Sequence, residues 1–271
     1  MINSLISGLI QGLTEFLPVS SSGHLAIFEA LVGGNNNSLI NEVFLHFATL
    51  IALLVVFWKD FLNIIVSVFD IKILKRDYLK NKFQKEYNFR LAVAIIVGSI
   101  PAGISGFFIE DIVVKAFNKP ELVSIFLIFT GIVLYLTKIS GEKNINLGIK
   151  ESFIVGICQA LAVFPGISRS GLTISGGLFL GLPRETAVKF SFFLSVPVIL
   201  GVTFKEVLNL FYQGISSIEV LNLSGGFVIA FISGYWAIKV LMKMTIDGKF
   251  HLFSIYCFIV GLISLYYFAF C

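Results

Sequence analysis

Six apolar stretches, near residues 43–66, 91–109, 121–139, 187–204, 218–240 and 252–270, are long enough to carry a helix across a bilayer, which takes about 20 residues. The rest of the chain offers them no other solvent. Of the 271 residues 57 % are hydrophobic, 29 are Phe and only 13 % are charged, about half the charged share of a soluble domain. One soluble core could not hide so much apolar surface. The net charge of +4 arises from basic residues scattered among membrane-flanking loops, which is no footprint for nucleic acid. Cys158, Cys257 and Cys271 lie far apart without metal-ligand or redox spacing and read as apolar packing residues. The N-terminus has no basic region and carries Glu15 within its apolar stretch, so it does not read as a cleaved signal peptide.

Two further apolar regions are broken. Residues 1–33 are interrupted at Pro18-Val19-Ser20-Ser21-Ser22-Gly23, and residues 152–182 at Pro165-Gly166-Ile167-Ser168-Arg169-Ser170-Gly171. Each half is too short to cross, which favours a re-entrant helix–loop–helix. Irregular backbone at that depth must be buried in protein or line a wet cavity.

The two broken regions repeat one another. At an offset of 148, Gly8 through Gly23 lies over Gly156 through Gly171 with seven identities in sixteen positions: Gly8, Gln11, Leu13, Phe16, Ser20, Ser22 and Gly23. A weaker echo at an offset of 143 sets Asn41 to Phe47 over Arg184 to Phe190. Three spans separate the copies, so the second enters from the opposite face. The pattern predicts an all-α integral membrane protein of six transmembrane helices plus two re-entrant segments in an inverted-topology repeat. It forms one membrane domain over 1–271, with repeat halves 1–139 and 150–271. With loop 67–90 on the cytoplasmic side, sixteen Lys and Arg fall there and three (Lys115, Lys119 and Lys205) fall outside. The first re-entrant region then enters from outside, the second from the cytoplasm, and their tips meet near the midplane.

Three ionisable residues stand at that depth: Glu15 before the first break, His24 after it, and Arg169 within the second. Such residues inside a membrane are functional candidates, and a buried Arg169 calls for an acid, with Glu15 the nearest. Ser20, Ser21, Ser22, Ser168, Ser170 and Thr173 supply hydroxyl donors at the helix breaks. Gly23, Gly166 and Gly171 let backbone N–H groups approach a ligand. A helix starting after such a break aims free N–H groups at an anion, which suits phosphate; the plainer reading is that Ser and Gly only cap the second half-helix. Gln11 and Glu15, four apart, share a helix face where amide and carboxylate oxygens could hold Mg²⁺ against a diphosphate. Ser21 and His24, three apart, could pair as hydroxyl and base if a helix starts at Ser21. Glu42 and His46 share a face of the first span, but an interfacial position explains them equally. Glu110-Asp111 and Glu206 read as solvated outer ends, and His251 carries no role.

The run Gln11-Gly12-Leu13-Thr14-Glu15-Phe16-Leu17-Pro18-Val19-Ser20-Ser21-Ser22-Gly23-His24 resembles the first signature of the undecaprenyl-diphosphatase family of the bacitracin-resistance type. Pro165 through Thr173 resembles its second. The resemblance implies hydrolysis of undecaprenyl diphosphate to undecaprenyl phosphate and inorganic phosphate, which recycles the lipid carrier for cell-wall synthesis and confers bacitracin resistance. It implies a bacterial plasma-membrane location and a divalent cation, usually Mg²⁺; the charge count puts the mouth of the site on the outer face. The partners implied are the polyprenyl diphosphate lipid and the bilayer, with no nucleic acid; a homodimer is a further candidate. By matching position Glu15, Ser21, His24 and Arg169 are the key residues, and Ser168, Ser170 and Thr173 join Ser20, Ser22 and Gly166 around phosphate. The family's first acidic position is Gln11 here, so a metal on Gln11 and Glu15 would meet one carboxylate. The nucleophile is either Ser21 assisted by His24 or an activated water. The rival from another class is a secondary transporter, since inverted repeats with broken helices also build transport sites.

Overall fold

The computed structural model describes residues 2–32, 39–69, 76–213 and 217–270. Among these there are thirteen α-helices and no strand: α1 (Ile2–Phe16), α2 (Ser21–Val32), α3 (Leu39–Val56), α4 (Trp58–Val68), α5 (Arg76–Lys85), α6 (Tyr87–Phe108), α7 (Glu110–Phe117), α8 (Pro120–Leu136), α9 (Ile149–Leu161), α10 (Arg169–Phe179), α11 (Arg184–Gln213), α12 (Ser217–Ile246) and α13 (Phe253–Phe270). Five segments, on α6, α8, α11, α12 and α13, are long and apolar enough to cross a membrane; α3 with α4 makes a sixth if that bent pair counts as one span. The chain is an all-α, multi-pass membrane protein. Glu42, Glu110, Asp111, Glu206 and Cys271, weighed above, have side chains outside the described residues.

The expected span 43–66 is not straight. It breaks at Phe57 and turns by 81° into α4. Eighteen residues of α3 already rise about 27 Å, close to the hydrocarbon thickness. A straight continuation would drive Lys59, Asp60 and Asn63 past the end of the span. Instead α4 turns aside. Its apolar side chains Trp58, Leu62, Ile65 and Val66 stay exposed, Phe57 and Phe61 pack on Phe193, and Asp60 meets Lys189 of α11 at 3.6 Å. These contacts hold α4 as an amphipathic helix turned away from the axis of α3.

Both broken regions are helix–break–helix units, with α1 and α2 flanking residues 17–20 and α9 and α10 flanking 162–168. The second break therefore starts and ends about three residues earlier than its Pro-Gly-Ser run suggested, and Arg169 opens α10. Small residues let each first half-helix approach a long span closely. A Cβ on Gly8 would strike the Gly226 carbonyl of α12, and one on Gly156 would strike the Gly98 carbonyl of α6. Gly8 and Gly156 are the pair related by the offset of 148. The largest buried cluster lies beside the breaks, where Phe16 meets Phe192 edge-on at 5.5 Å.

Candidate active site

Ser20 ends the first break in a left-handed conformation, φ 68°, which costs an L-residue about 1–2 kcal/mol. Its Oγ offsets that cost by accepting from two backbone donors, Gly23 N at 3.2 Å and Gly166 N at 3.1 Å. The first bond caps α2 and the second reaches the other break. Ser168 repeats the cap on α10, accepting from Gly171 N at 3.0 Å. The hydroxyls alternate in step: Ser20 contacts Ser22 at 3.4 Å, and Ser168 contacts Ser170 at 3.3 Å. Further ties lock the tips together. Ser170 donates to the Leu17 carbonyl at 3.1 Å, while Thr130 of α8 donates to the Gly166 carbonyl and accepts from Ser168 N. The two tips meet, as the inverted repeat predicts.

Between them lies a cavity of about 190 Å³ lined by Thr14, Glu15, Ser20, Ser21, Ser22, His46, Ala162, Val163, Ile167, Ser168, Arg169, Val198, Ile199 and Val202. The Glu15 carboxylate is its centre and is 5 % exposed. One oxygen pairs with the Arg169 guanidinium. The other accepts from Ser21 Oγ at 2.6 Å and Gln11 Nε2 at 2.9 Å, with His46 Nε2 3.5 Å away. Each hydrogen bond to a charged group contributes about 1.5–3 kcal/mol, which is how a carboxylate survives at this depth. Arg169 is the first residue of α10 and Ser21 the first of α2, so both helix N-termini point their free N–H groups at the same space. The constellation can bind a multiply charged anion and accept a proton from a serine hydroxyl.

Of the phosphate set, Ser20, Ser22 and Ser168 line the cavity, whereas Gly166, Ser170 and Thr173 stand behind it. Thr173 spends its hydroxyl on the Arg169 carbonyl and on Ser191. His46, which the sequence left open between a shared face with Glu42 and an interfacial position, is brought to Glu15 by the packing of α3 on α1.

His24 is not brought to Ser21, although α2 does start at Ser21 as that pairing required. Its Nδ1–H donates to the Ser20 carbonyl at 2.8 Å, so in the neutral ring Nε2 accepts from the Tyr256 hydroxyl at 2.9 Å. The rings stack at 5.6 Å, and His24 is absent from the cavity wall. Both nitrogens are engaged in holding the Ser20 turn against α13. Tyr256→Phe is therefore expected to lower turnover several-fold, and His24→Gln, which can still donate to Ser20, to stay within about tenfold of wild type. A loss beyond about a thousandfold in His24→Gln with Tyr256→Phe unaffected is the signature of a proton carrier instead.

The protein groups do not fit a metal site on Gln11 and Glu15. Gln11 Oε1 is buried without a partner, its amide nitrogen is what faces Glu15, and it does not line the cavity. Both Glu15 oxygens already hold donors. No group of three or more His, Cys, Asp or Glu suited to a metal occurs among the described residues.

The family model described as Bacitracin resistance protein BacA matches residues 4–263. The chain belongs to this family. Curated relatives resemble it along nearly their whole length. A protein of Methanosphaera stadtmanae named undecaprenyl-diphosphatase is 40 % identical over 98 % of this chain and 97 % of its own. Proteins of the same name from Halothermothrix orenii, 41 % identical over 94 % and 93 %, and Thermosipho africanus, 38 % identical over 98 % and 99 %, are similarly close.

Proposed function

We propose that this chain hydrolyses undecaprenyl diphosphate, the substrate that its relatives' names give, to the monophosphate and inorganic phosphate. That activity returns the lipid carrier to cell-wall synthesis and, by removing the diphosphate that bacitracin sequesters, confers resistance. The observation that carries the reading is Ser21 Oγ donating at 2.6 Å to a carboxylate that also pairs with Arg169, all three on one cavity between apolar helices. Purified protein in detergent is expected to release phosphate from farnesyl and undecaprenyl diphosphate. Release from neither ends the proposal.

In the mechanism, Arg169 and the N-termini of α2 and α10 neutralise oxygens of the terminal phosphoryl group. Ser21 Oγ attacks that phosphorus and its proton passes to Glu15. The bond to the bridging oxygen breaks and polyprenyl monophosphate leaves. Water then attacks the phosphoserine, the bond from phosphorus to Ser21 Oγ breaks, that oxygen takes back the proton held on Glu15, and the two protons of the water leave with inorganic phosphate. A divalent cation belongs to this reading only as a companion of the diphosphate, and no step is assigned to it. The transporter alternative fits less well, because rocking one half against the other would break the Gly166–Ser20 and Ser170–Leu17 bonds that join the tips.

The plasma-membrane location and the outward mouth belong to the same proposal, together with the halves 1–139 and 150–271. By the charge count of sixteen to three, Val202 near the end of the α11 span and His46 near the start of α3 lie towards the outer side. With native cysteines removed, Asn118→Cys is expected to react with a membrane-impermeant thiol reagent in intact cells and Lys80→Cys to resist it. The reverse pattern would turn the mouth to the cytoplasm.

A further inference from the structure

The two halves are not equally closed around the site. In the first, α1 packs against α3; in the second, the matching pair α9 and α11 forms no packed interface among the described residues. The cavity wall beside that opening is apolar, formed by Ala162, Val163, Val198 and Val202. The offset of 148 places Val163 where the first half has Glu15. One wall of the cavity is thus a carboxylate wall and its counterpart a hydrocarbon wall. Val202 lines the cavity and is also 51 % exposed, with Leu161 at 54 % beside the second break. A Cβ built on Gly201 would meet nothing within 4 Å. A lining residue that is also half exposed marks a lip where the cavity meets the bilayer.

We propose that the opening between the second break and α11 is the lateral doorway for the substrate's polyprenyl chain, with Val163, Val198 and Val202 seating its first isoprene units. This rests on the diphosphatase reading. The diphosphate stays at Ser21 and Arg169, and the hydrocarbon leaves past Leu161 and Val202 directly into lipid. The opposite route is closed by α1 on α3 and would lay hydrocarbon on Thr14, Glu15 and His46, burying polar groups that a headgroup or water would otherwise meet. An exit through the aqueous mouth would strand a long apolar chain in water.

The test compares kcat/KM for prenyl diphosphates of five, fifteen and fifty-five carbons. In wild type the value is expected to rise steeply from five to fifteen carbons, because the longer chain gains the valine wall and the lip. Val202→Trp narrows the lip at a position already exposed, and is expected to cut the ratio of fifteen- to five-carbon kcat/KM at least tenfold. In parallel, a lipid diphosphate carrying a photoreactive diazirine on its second isoprene unit is expected to label residues 161–163 or 198–204 of the unaltered protein. That arm does not depend on the folding of any variant. Wild-type hydrolysis with an unchanged ratio in Val202→Trp, or labelling on α1, α3 or α12, overturns the doorway alone. Failure of wild type to release phosphate from any of the three removes the diphosphatase reading first.

Discussion

Arg169→Ala is expected to lower phosphate release by about three orders of magnitude or more, and Arg169→Lys by about two. A thousandfold loss corresponds to about 4 kcal/mol of transition-state stabilisation, the low end of what arginines contribute to phosphoryl transfer. The Lys variant separates charge from shape. Guanidinium is a planar fork that can hold Glu15 with one nitrogen and face a phosphoryl oxygen with another; an ammonium has the charge without the fork. Wild-type turnover in Arg169→Lys would reduce the residue to a point charge. A second effect has to be kept apart, because Arg169→Ala also leaves the buried Glu15 carboxylate without its cation, and breaking such a pair costs about 3–5 kcal/mol of stability. Thermal unfolding in detergent measures that cost. Adding Glu15→Gln to Arg169→Ala is expected to restore most of the stability and none of the activity. Recovery of activity in the double variant would make Arg169 a structural counter-ion only.

Much of this site was legible in the sequence because its chemistry is expensive where it stands. Glu15 and Arg169 in apolar stretches demand one another, and their ion pair is the centre of the cavity. The serines and glycines of the two breaks announce helix starts, and Ser20 and Ser168 cap their helices in the same way. What the sequence withheld was decided by contacts between distant segments. His24 has the right spacing to reach Ser21 along α2, but Tyr256, 232 residues away, holds its ring. His46 looked like an interfacial residue because nothing in α3 itself points to Glu15; only the packing of α3 on α1 does. The bend at Phe57 was hidden by an apolar run that continues through it. The signal was present in Lys59 and Asp60, with Trp58, Leu62 and Ile65 spaced for one face of an amphipathic helix. Gln11 shares a face with Glu15 as its spacing requires, yet helix geometry alone could not tell which end of the amide would face the carboxylate.

Ser21→Ala decides between the serine and water routes. Ser21 is expected to form a phosphoserine, so its removal lowers turnover by about a thousandfold or more and abolishes the acid-stable label that wild type acquires from substrate labelled on its terminal phosphoryl group. Three features favour the serine. Its Oγ lies 2.6 Å from Glu15, a short bond to an ionised acceptor and within the reach a general base needs. It opens α2, where free N–H groups stabilise charge gathering on an attacked phosphoryl group. It also lines the cavity beside Arg169. Glu15→Gln is expected to fall nearly as far, since Ser21 then has no proton acceptor. The two losses are not additive, because groups acting as one unit lose their function together, and the double variant should be little worse than either single one. If Ser21→Ala retains activity within about tenfold, a barrier change of about 1.4 kcal/mol, water is the nucleophile and Ser21 only a hydroxyl ligand. Glu15→Gln would then be the more damaging change, because a water attack needs the carboxylate as base whether or not Ser21 is present. The ranking of the two single variants therefore identifies the route even where no covalent intermediate can be trapped.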